Sequence, residues 1–462
     1  MSKNKSNKSD INHSSRRGFL KMSTLAVGSA TFGASIMGRS VFAQAAGQAN
    51  DHTLVYVFLR GGADALSILA PNAACPGYAD YIANQRATTH IPASKLLSLA
   101  SAGTNPVLGL HPDAVGLRDL FNQSRLGLFM NSGCLNPTTS HFAQQDNIEG
   151  GSGEERDTRI KGGFLNRAMS GVDGQLGLIP AMSLNQSLAK SLLGPMPAFA
   201  INSAESLKML TPGNLRSGLS LESRMDASFL KNTAPTRLVD GMLRAQASRI
   251  KSAVKLFAGV EQAKADPQNA DQLIRLSPSA EYHGYPKFRE AVKMIKDVPD
   301  MKFITIDVPG WDDHVNLGAV DGKFSTRIAK LSSALKTFVD DLDENGLLQK
   351  TTIVVMSEFG RRIAENSSKG VDHGRGGLMM VIGEGVEKQV YAPGFSLVDS
   401  AQDQGCLPVS LDYRQILAQV LEERMGIVNV YESSVAGSSS PAAQVKVFPG
   451  LVKQSALKVF KS

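Results

Sequence analysis

Leu54-Val55-Tyr56-Val57-Phe58-Leu59 is a continuous, partly β-branched run that stops at Arg60-Gly61-Gly62. A strand with no polar alternation is one buried on both faces, and such strands belong to parallel sheets covered by helices. The glycines that end it read as the opening of a functional loop. Further strand-like stretches lie downstream: Leu126 to Met130, Phe303-Ile304-Thr305-Ile306-Asp307-Val308, Thr351 to Met356 and Leu378 to Ile382. Helical patterns separate them. His111 to Gln123 carries Val115, Leu117, Leu120 and Phe121 on its apolar side. Phe324, Ile328, Leu331, Leu335, Phe338 and Leu342 recur at spacings of three and four, and Asn345-Gly346 closes that helix as a glycine C-cap. Asp412 to Leu421 is another helix. Strands alternating with helices give an α/β fold, a three-layer sandwich with a mostly parallel central sheet.

From about Leu210 the character changes. Gly213 to Ser228 is a polar, Ser-rich connector, and Leu238 to Val260 has a long helical pattern. Residues of about 210–300 are therefore expected to form a helical insertion in a single domain of 46–462.

The first 45 residues read differently. Ser15-Arg16-Arg17-Gly18-Phe19-Leu20-Lys21 follows a basic leader and precedes a weakly apolar run, Met22 to Met37, with small-residue sites at Val41-Phe42-Ala43 and Ala43-Gln44-Ala45. This order resembles a bacterial twin-arginine (Tat) export signal. It implies the Tat translocase as a partner during export and a periplasmic or secreted mature protein. The signal also explains the charge. Residues 1–50 hold seven basic and one acidic side chain, a net +6 of the chain's +7. The remainder is nearly neutral, which removes the electrostatic case for nucleic acid. No apolar run approaches the roughly 18 residues of a membrane span, so none is expected after signal removal. Cys75, Cys134 and Cys406 are odd in number and lack a C-x-x-C, so they read as small buried hydrophobes, with one disulfide left open.

Ligands of open α/β sheets gather at the carboxyl ends of strands. Past the first strand come Gly61-Gly62-Ala63-Asp64. The second is followed by Asn136-Pro137-Thr138-Thr139-Ser140-His141, and the third by Gly310-Trp311-Asp312-Asp313-His314. Ser357-Glu358-Phe359-Gly360-Arg361 follows the fourth, and Asp372-His373-Gly374 stands just before the fifth. Carboxylate and imidazole together suit zinc or manganese. Each residue alone has a plainer reading: Asp312 a loop cap, His373 a hydrogen-bonded surface histidine, Ser140 a turn or helix N-cap. Their shared placement favours a site. Walker A, G-x-S-x-G and H-E-x-x-H sequences do not occur.

These blocks, beginning with Val57-Phe58-Leu59-Arg60-Gly61-Gly62-Ala63-Asp64 and including Pro137-Thr138-Thr139-Ser140-His141-Phe142, look like the domain-of-unknown-function family 1501. That family is itself similar to the alkaline phosphatase and sulfatase superfamily. The resemblance implies an alkaline phosphatase-like fold and a divalent metal held by Asp64, Asp312, His314, Glu358, His373 and, as a substitute ligand, Asp372. It implies Ser140 or Thr139 as nucleophile; Arg60 or Arg361, each just past a strand end, has the bidentate fork to clamp an anionic ester. Two departures stand out. Phe359 occupies the place of a metal-binding His, which points to one metal rather than two, and the sulfatase motif C-x-P-x-R is absent. The expected function is an exported metal-dependent hydrolase of phosphate or sulfate esters. The alternative is a non-catalytic exported protein that binds a surface polymer or another secreted protein and keeps perhaps one metal.

Overall fold

The computed structural model describes residues 51–99, 107–153, 160, 162–172, 176–201, 276–298, 300–432, 446–454 and 456–461. The export signal, the Gly213–Ser228 connector and the Leu238–Val260 pattern lie outside the described residues. Of the expected insertion, the described part is a 3-10 turn at Ser279–Tyr282 and the helix Pro286–Asp297.

A central sheet organises these residues. Its strands are β1 (Thr53–Arg60), β2 (Leu126–Gly133), β3 (Ala181–Ser183), β4 (Phe199–Ala200), β5 (Phe303–Pro309), β6 (Thr351–Ser357), β7 (Gly377–Gly383), β8 (Val390–Tyr391) and β9 (Leu411–Asp412). The order is β8-β2-β7-β6-β1-β5-β3-β4, with β9 also beside β2. All neighbours pair in parallel except β7, which runs antiparallel to both β2 and β6. The exception has a consequence for the site. A loop that precedes an antiparallel strand arrives at the same edge as loops that follow the parallel ones. Asp372 and His373, just before β7, therefore join the residues that follow β1, β2, β5 and β6.

β1 shows why the sheet is buried on both sides. Leu54, Tyr56 and Phe58 point into one apolar layer, where Tyr56 meets Phe164 edge-on at 5.4 Å and Phe164 stacks on Phe448. That layer is closed by the helices α3 (Phe164–Met169) and α6 (Tyr413–Gln419). By the period of two, Val55, Val57 and Leu59 face the other way. Outside that layer the helices α1 (Val115–Asn122) and α4 (Pro286–Asp297) each pack against α5 (Lys323–Glu344). The six apolar positions expected of α5 are all fully buried, and Phe338 meets Phe288 of α4 at 5.4 Å. Gly346 ends α5 with φ +63°, and Leu347 N–H returns to the Leu342 carbonyl at 2.7 Å. α1 sits close to α5 because Gly116 has no side chain: a Cβ there would lie 2.4 Å from the Ser332 carbonyl oxygen. The three-layer α/β sandwich read from the sequence is the observed architecture. β3, β4, β8 and β9 were not foreseen; at two or three residues each they are too short to show a pattern. All three cysteines are free and buried.

Candidate metal centre

The helix α2 (His141–Gly150) begins at the second strand-end loop and presents His141 from its first turn. The loop after β5 supplies Asp312 and His314. The hairpin formed by Arg361–Glu365 and Val371–His373 supplies His373. These three segments bring four donor atoms around Asp312 Oδ1, and three of them, from His141, Asp312 and His373, lie within 4.8 Å of one another. Asp312 Oδ1 lies 3.0 Å from His314 Nε2, 3.4 Å from His141 Nε2 and 3.5 Å from His373 Nε2. His314 Nε2 and His373 Nε2 are 2.9 Å apart. His141, Asp312 and His373 meet the spacing of a metal-holding group.

The hydrogen bonds on the far side of each ring decide what those nitrogens are. His141 Nδ1 faces Glu358 Oε1 at 2.8 Å, His314 Nδ1 faces Asp372 Oδ1 at 2.9 Å, and His373 Nδ1 faces the Thr139 carbonyl at 2.6 Å. All three partners are acceptors, so a neutral ring that donates from Nδ1 turns its Nε2 lone pair toward Asp312 Oδ1, where a cation or a shared proton can bridge them. Arg361, which can only donate, stands 3.5 Å from His314 Nε2 and agrees with that tautomer. His141 Nε2 is buried with no hydrogen-bond partner. Three lone pairs and a carboxylate oxygen crowding one point repel one another unless a cation sits among them. Outer hydrogen bonds of this kind are what orient metal-bound imidazoles.

The charges fit one divalent ion. Asp312, Glu358 and Asp372 are all held below the ordinary carboxylate range. For Asp312, burial works the other way but is outweighed by the hydrogen bond and charge of Arg361. Burial also opposes the charge of Glu358, and the Gln145, His141 and Gly61 hydrogen bonds overcome it. Asp372 is lowered first by Asn366 and then by His314. His373 is lowered by burial, with the Thr139 carbonyl opposing, so it stays neutral at pH 7. Three carboxylates against the guanidiniums of Arg361 and Arg362 leave negative charge that a divalent ion would neutralise. Asp312 is 48% exposed, so this side of the cluster opens to solvent.

Several expected roles change. Glu358 is not at the metal point: it is fully buried, and one of its oxygens accepts from His141, Gln145 and the Gly61 N–H. Asp372 likewise serves His314 from outside rather than replacing a missing ligand. Asp64 is locked against Arg86 at 2.5 and 2.9 Å and also accepts from Ser67, with both charged partners buried. Arg60 is held by Glu149 at 2.7 Å and Asp307 at 3.0 Å, which leaves it no free fork for an anion. Arg361 is buried among carbonyls and Asp312. Ser140 and Thr139 are exposed; Ser140 is the N-cap residue of α2 but makes no side-chain cap bond, and Thr139 contributes its carbonyl. Phe359, where a metal-binding His was expected, lies 4.9 Å from both the His141 and His373 rings and forms an apolar plate against them. His141 was not among the residues expected at the cluster. It was visible in the sequence as the third histidine among the strand-end blocks, but Ser140 beside it drew the reading toward a nucleophile.

The Ser357-Glu358-Phe359-Gly360-Arg361 block thus positions the cluster and supplies no ligand of its own. Its glycine is also explained: a Cβ on Gly360 would lie 2.0 Å from the Gly376 carbonyl oxygen, where the chain turns into β7.

A family model described as protein of unknown function, DUF1501, matches residues 130–393. The chain belongs to this family. The match covers His141, Asp312, His314 and His373, as well as Glu358, Arg361 and Asp372. No curated protein sequence matches the chain. Among solved structures it is similar to the lipoteichoic acid synthase LtaP from Listeria monocytogenes, at 12% identity over 72% of this chain and 66% of that one, with a TM-score of 0.27. This chain thus spans slightly less than two thirds of that synthase. It is also similar to the C-terminal periplasmic domain of EcEptC from Escherichia coli in complex with Zn, at 9% identity over 72% and 73% of the two chains and a TM-score of 0.28. A third is the PsFucS1 sulfatase from Pseudoalteromonas sp., at 9% identity over 73% and 63%, with a TM-score of 0.28. No described helix of this DUF1501 protein is long and apolar enough to cross a membrane.

Proposed function

We propose that this DUF1501 protein is an exported hydrolase of phosphate or sulfate esters with one divalent metal, zinc or manganese, held by His141, His314, His373 and Asp312. The observation that carries the reading is the convergence of three Nε2 atoms on Asp312 Oδ1, at 3.0–3.5 Å. Imidazole in this number favours zinc or manganese over calcium or magnesium, which prefer oxygen shells. Bound there, the ion supplies Lewis-acid polarisation of an ester oxygen and stabilises developing charge. The chain does the rest. Glu358, Asp372 and the Thr139 carbonyl fix the three rings, and Phe359 keeps water from behind two of them. Ser140, exposed and one residue from His141, is the hydroxyl proposed to attack the central phosphorus or sulfur: its bond to that atom forms as the bond to the ester oxygen breaks, the serine proton passes through solvent to the departing alkoxide, and water then releases phosphate or sulfate from Ser140.

A second reading is a binding protein that keeps the metal and has no turnover. It is favoured by one observation: both arginines expected to clamp an anion are engaged internally. The two readings separate on purified, metal-loaded protein offered aryl phosphates and aryl sulfates. We expect one metal per chain, hydrolysis of at least one ester class, and loss of that hydrolysis in both Ser140→Ala and His373→Ala. One metal with no hydrolysis of either class leaves the binding reading. Hydrolysis that survives in His373→Ala ends the proposed site.

Export by the Tat route is part of the same proposal and is supported by Arg16-Arg17 with the apolar run and small residues that follow. Replacing both arginines with lysine is expected to hold the protein in the cytoplasm. Unimpaired export of that double variant, followed by cell fractionation, removes this part.

A further inference from the structure

Arg361 is 1% exposed, yet its guanidinium is ringed by oxygen. Nε donates to the Gly62 carbonyl at 2.6 Å. One terminal nitrogen donates to the Val371 carbonyl at 3.0 Å. The other serves Asp312 Oδ1 at 2.6 Å, the Trp311 carbonyl at 3.2 Å and the Gly61 carbonyl. These acceptors come from three separate segments: the loop after β1, the loop after β5 that bears Asp312 and His314, and the hairpin strand that bears Asp372 and His373. Buried carbonyls without partners are costly, so the loops close only around a cation that can donate in several directions at once. A guanidinium has five N–H donors in one rigid plane, whereas a lysine ammonium has three radiating from a point.

The contact with Asp312 is the one that matters for chemistry. Asp312 is half exposed, and an exposed carboxylate on a loop has no fixed direction of its own. The guanidinium gives it one. It holds Oδ1 at the same point toward which the three Nε2 atoms aim. Gly61 brings the β1 loop into this arrangement at close quarters: it adopts φ +119°, and a Cβ there would lie 2.6 Å from the Asp312 backbone nitrogen.

We infer that Arg361 is the positioning residue of the metal centre: its guanidinium fixes Asp312 Oδ1 among the three imidazole nitrogens and ties the loops bearing His314 and His373 into one frame. The inference rests on the metal reading above and deepens it. It also assigns Arg361 away from the substrate, since Nε and both terminal nitrogens already donate within the protein and the side chain is buried.

Cobalt(II) tests both levels, because its visible absorption reports ligand geometry directly. The mature chain is titrated with cobalt(II) as wild type, as Arg361→Lys, and as Arg361→Ala with and without methylguanidinium. Folding of each is followed by circular dichroism. We expect one cobalt per wild-type chain. In folded Arg361→Lys, affinity should fall by about 10–100-fold, the usual effect of losing an outer partner of a metal ligand, and the absorption band should change shape. Methylguanidinium should restore the wild-type band in Arg361→Ala. A folded Arg361→Lys with unchanged affinity and band overturns the inference. Should that variant not fold, Arg361→Ala decides the matter: failure of methylguanidinium to restore the band overturns it as well. A wild type that binds no cobalt overturns the metal reading itself, which is a separate outcome from a wild type that binds it and variants that are indifferent.

Discussion

Replacing His314 with alanine should weaken zinc binding by about 10²–10³-fold while the metal-free protein stays as stable as the wild type. The size follows from apparent zinc free energies of roughly 10–16 kcal/mol shared by four ligands, about 3–4 kcal/mol for each. The stability half follows from exposure. The His314 side chain is 39% exposed and lies at the surface of the cluster, so its loss opens no cavity in the core. The two halves are read separately: affinity by competition with a chromophoric chelator, stability by urea unfolding in a metal-free buffer. Zinc adds a further check. An ion that binds only the native state raises stability by about 2.7 kcal/mol at a hundred times its dissociation constant. At a fixed zinc concentration the variant should lose most of that gain. Unchanged zinc affinity in His314→Ala would falsify the assignment of the centre.

The sheet was legible because burial on both faces leaves a mark that survives in one sequence. β1 and β6 hold unbroken apolar runs (Leu54–Leu59 and Ile353–Met356), β5 is apolar save for Thr305 and Asp307, and α5 repeats its apolar residues through six turns with a glycine stop. What stayed hidden was direction. Nothing in Leu378 to Ile382 says that the strand runs antiparallel, because a run buried on both sides reads alike in either sense. The placement of His373 survived this, since a residue before an antiparallel strand and a residue after a parallel one share an edge. Distinguishing a ligand from its supporter was beyond the sequence. Asp312 and Glu358 both follow parallel strands by a few residues and both are carboxylates. Only the side-chain directions show that Asp312 meets the Nε2 atoms while Glu358 meets the Nδ1 of His141. The same limit applied to the arginines. A guanidinium past a strand end reads as an anion clamp until its partners are seen, and the partners of Arg60 lie far off in sequence at Glu149 and Asp307.

Asp64 carries the largest stability prediction, because its partner cannot leave. Arg86 is fully buried and holds both Asp64 oxygens. Burial works against the guanidinium's charge, and Asp64 is the main group that sustains it. Arg86 spends its other donors on the Ile363 and Arg362 carbonyls, in the strand that follows Arg361. Asp64→Asn keeps the shape and removes the charge, which leaves a buried cation facing a neutral amide. Breaking one side of a buried pair costs roughly 3–5 kcal/mol. We therefore expect Asp64→Asn to lower unfolding stability by about that amount in urea, with the zinc stoichiometry of the folded protein unchanged. The opposite pattern, zinc lost with stability intact, would return Asp64 to the ligand set that the sequence proposed for it. The double replacement Asp64→Leu with Arg86→Met separates charge from packing. If the cost arises from the stranded cation, removing both charges should recover much of the stability lost in Asp64→Asn, since a buried pair exchanged for apolar side chains is often neutral. If the double variant is no better than Asp64→Asn, the hydrogen bonds of Arg86 to the hairpin strand are what the fold needs, and the ion pair is only the means of keeping the guanidinium there.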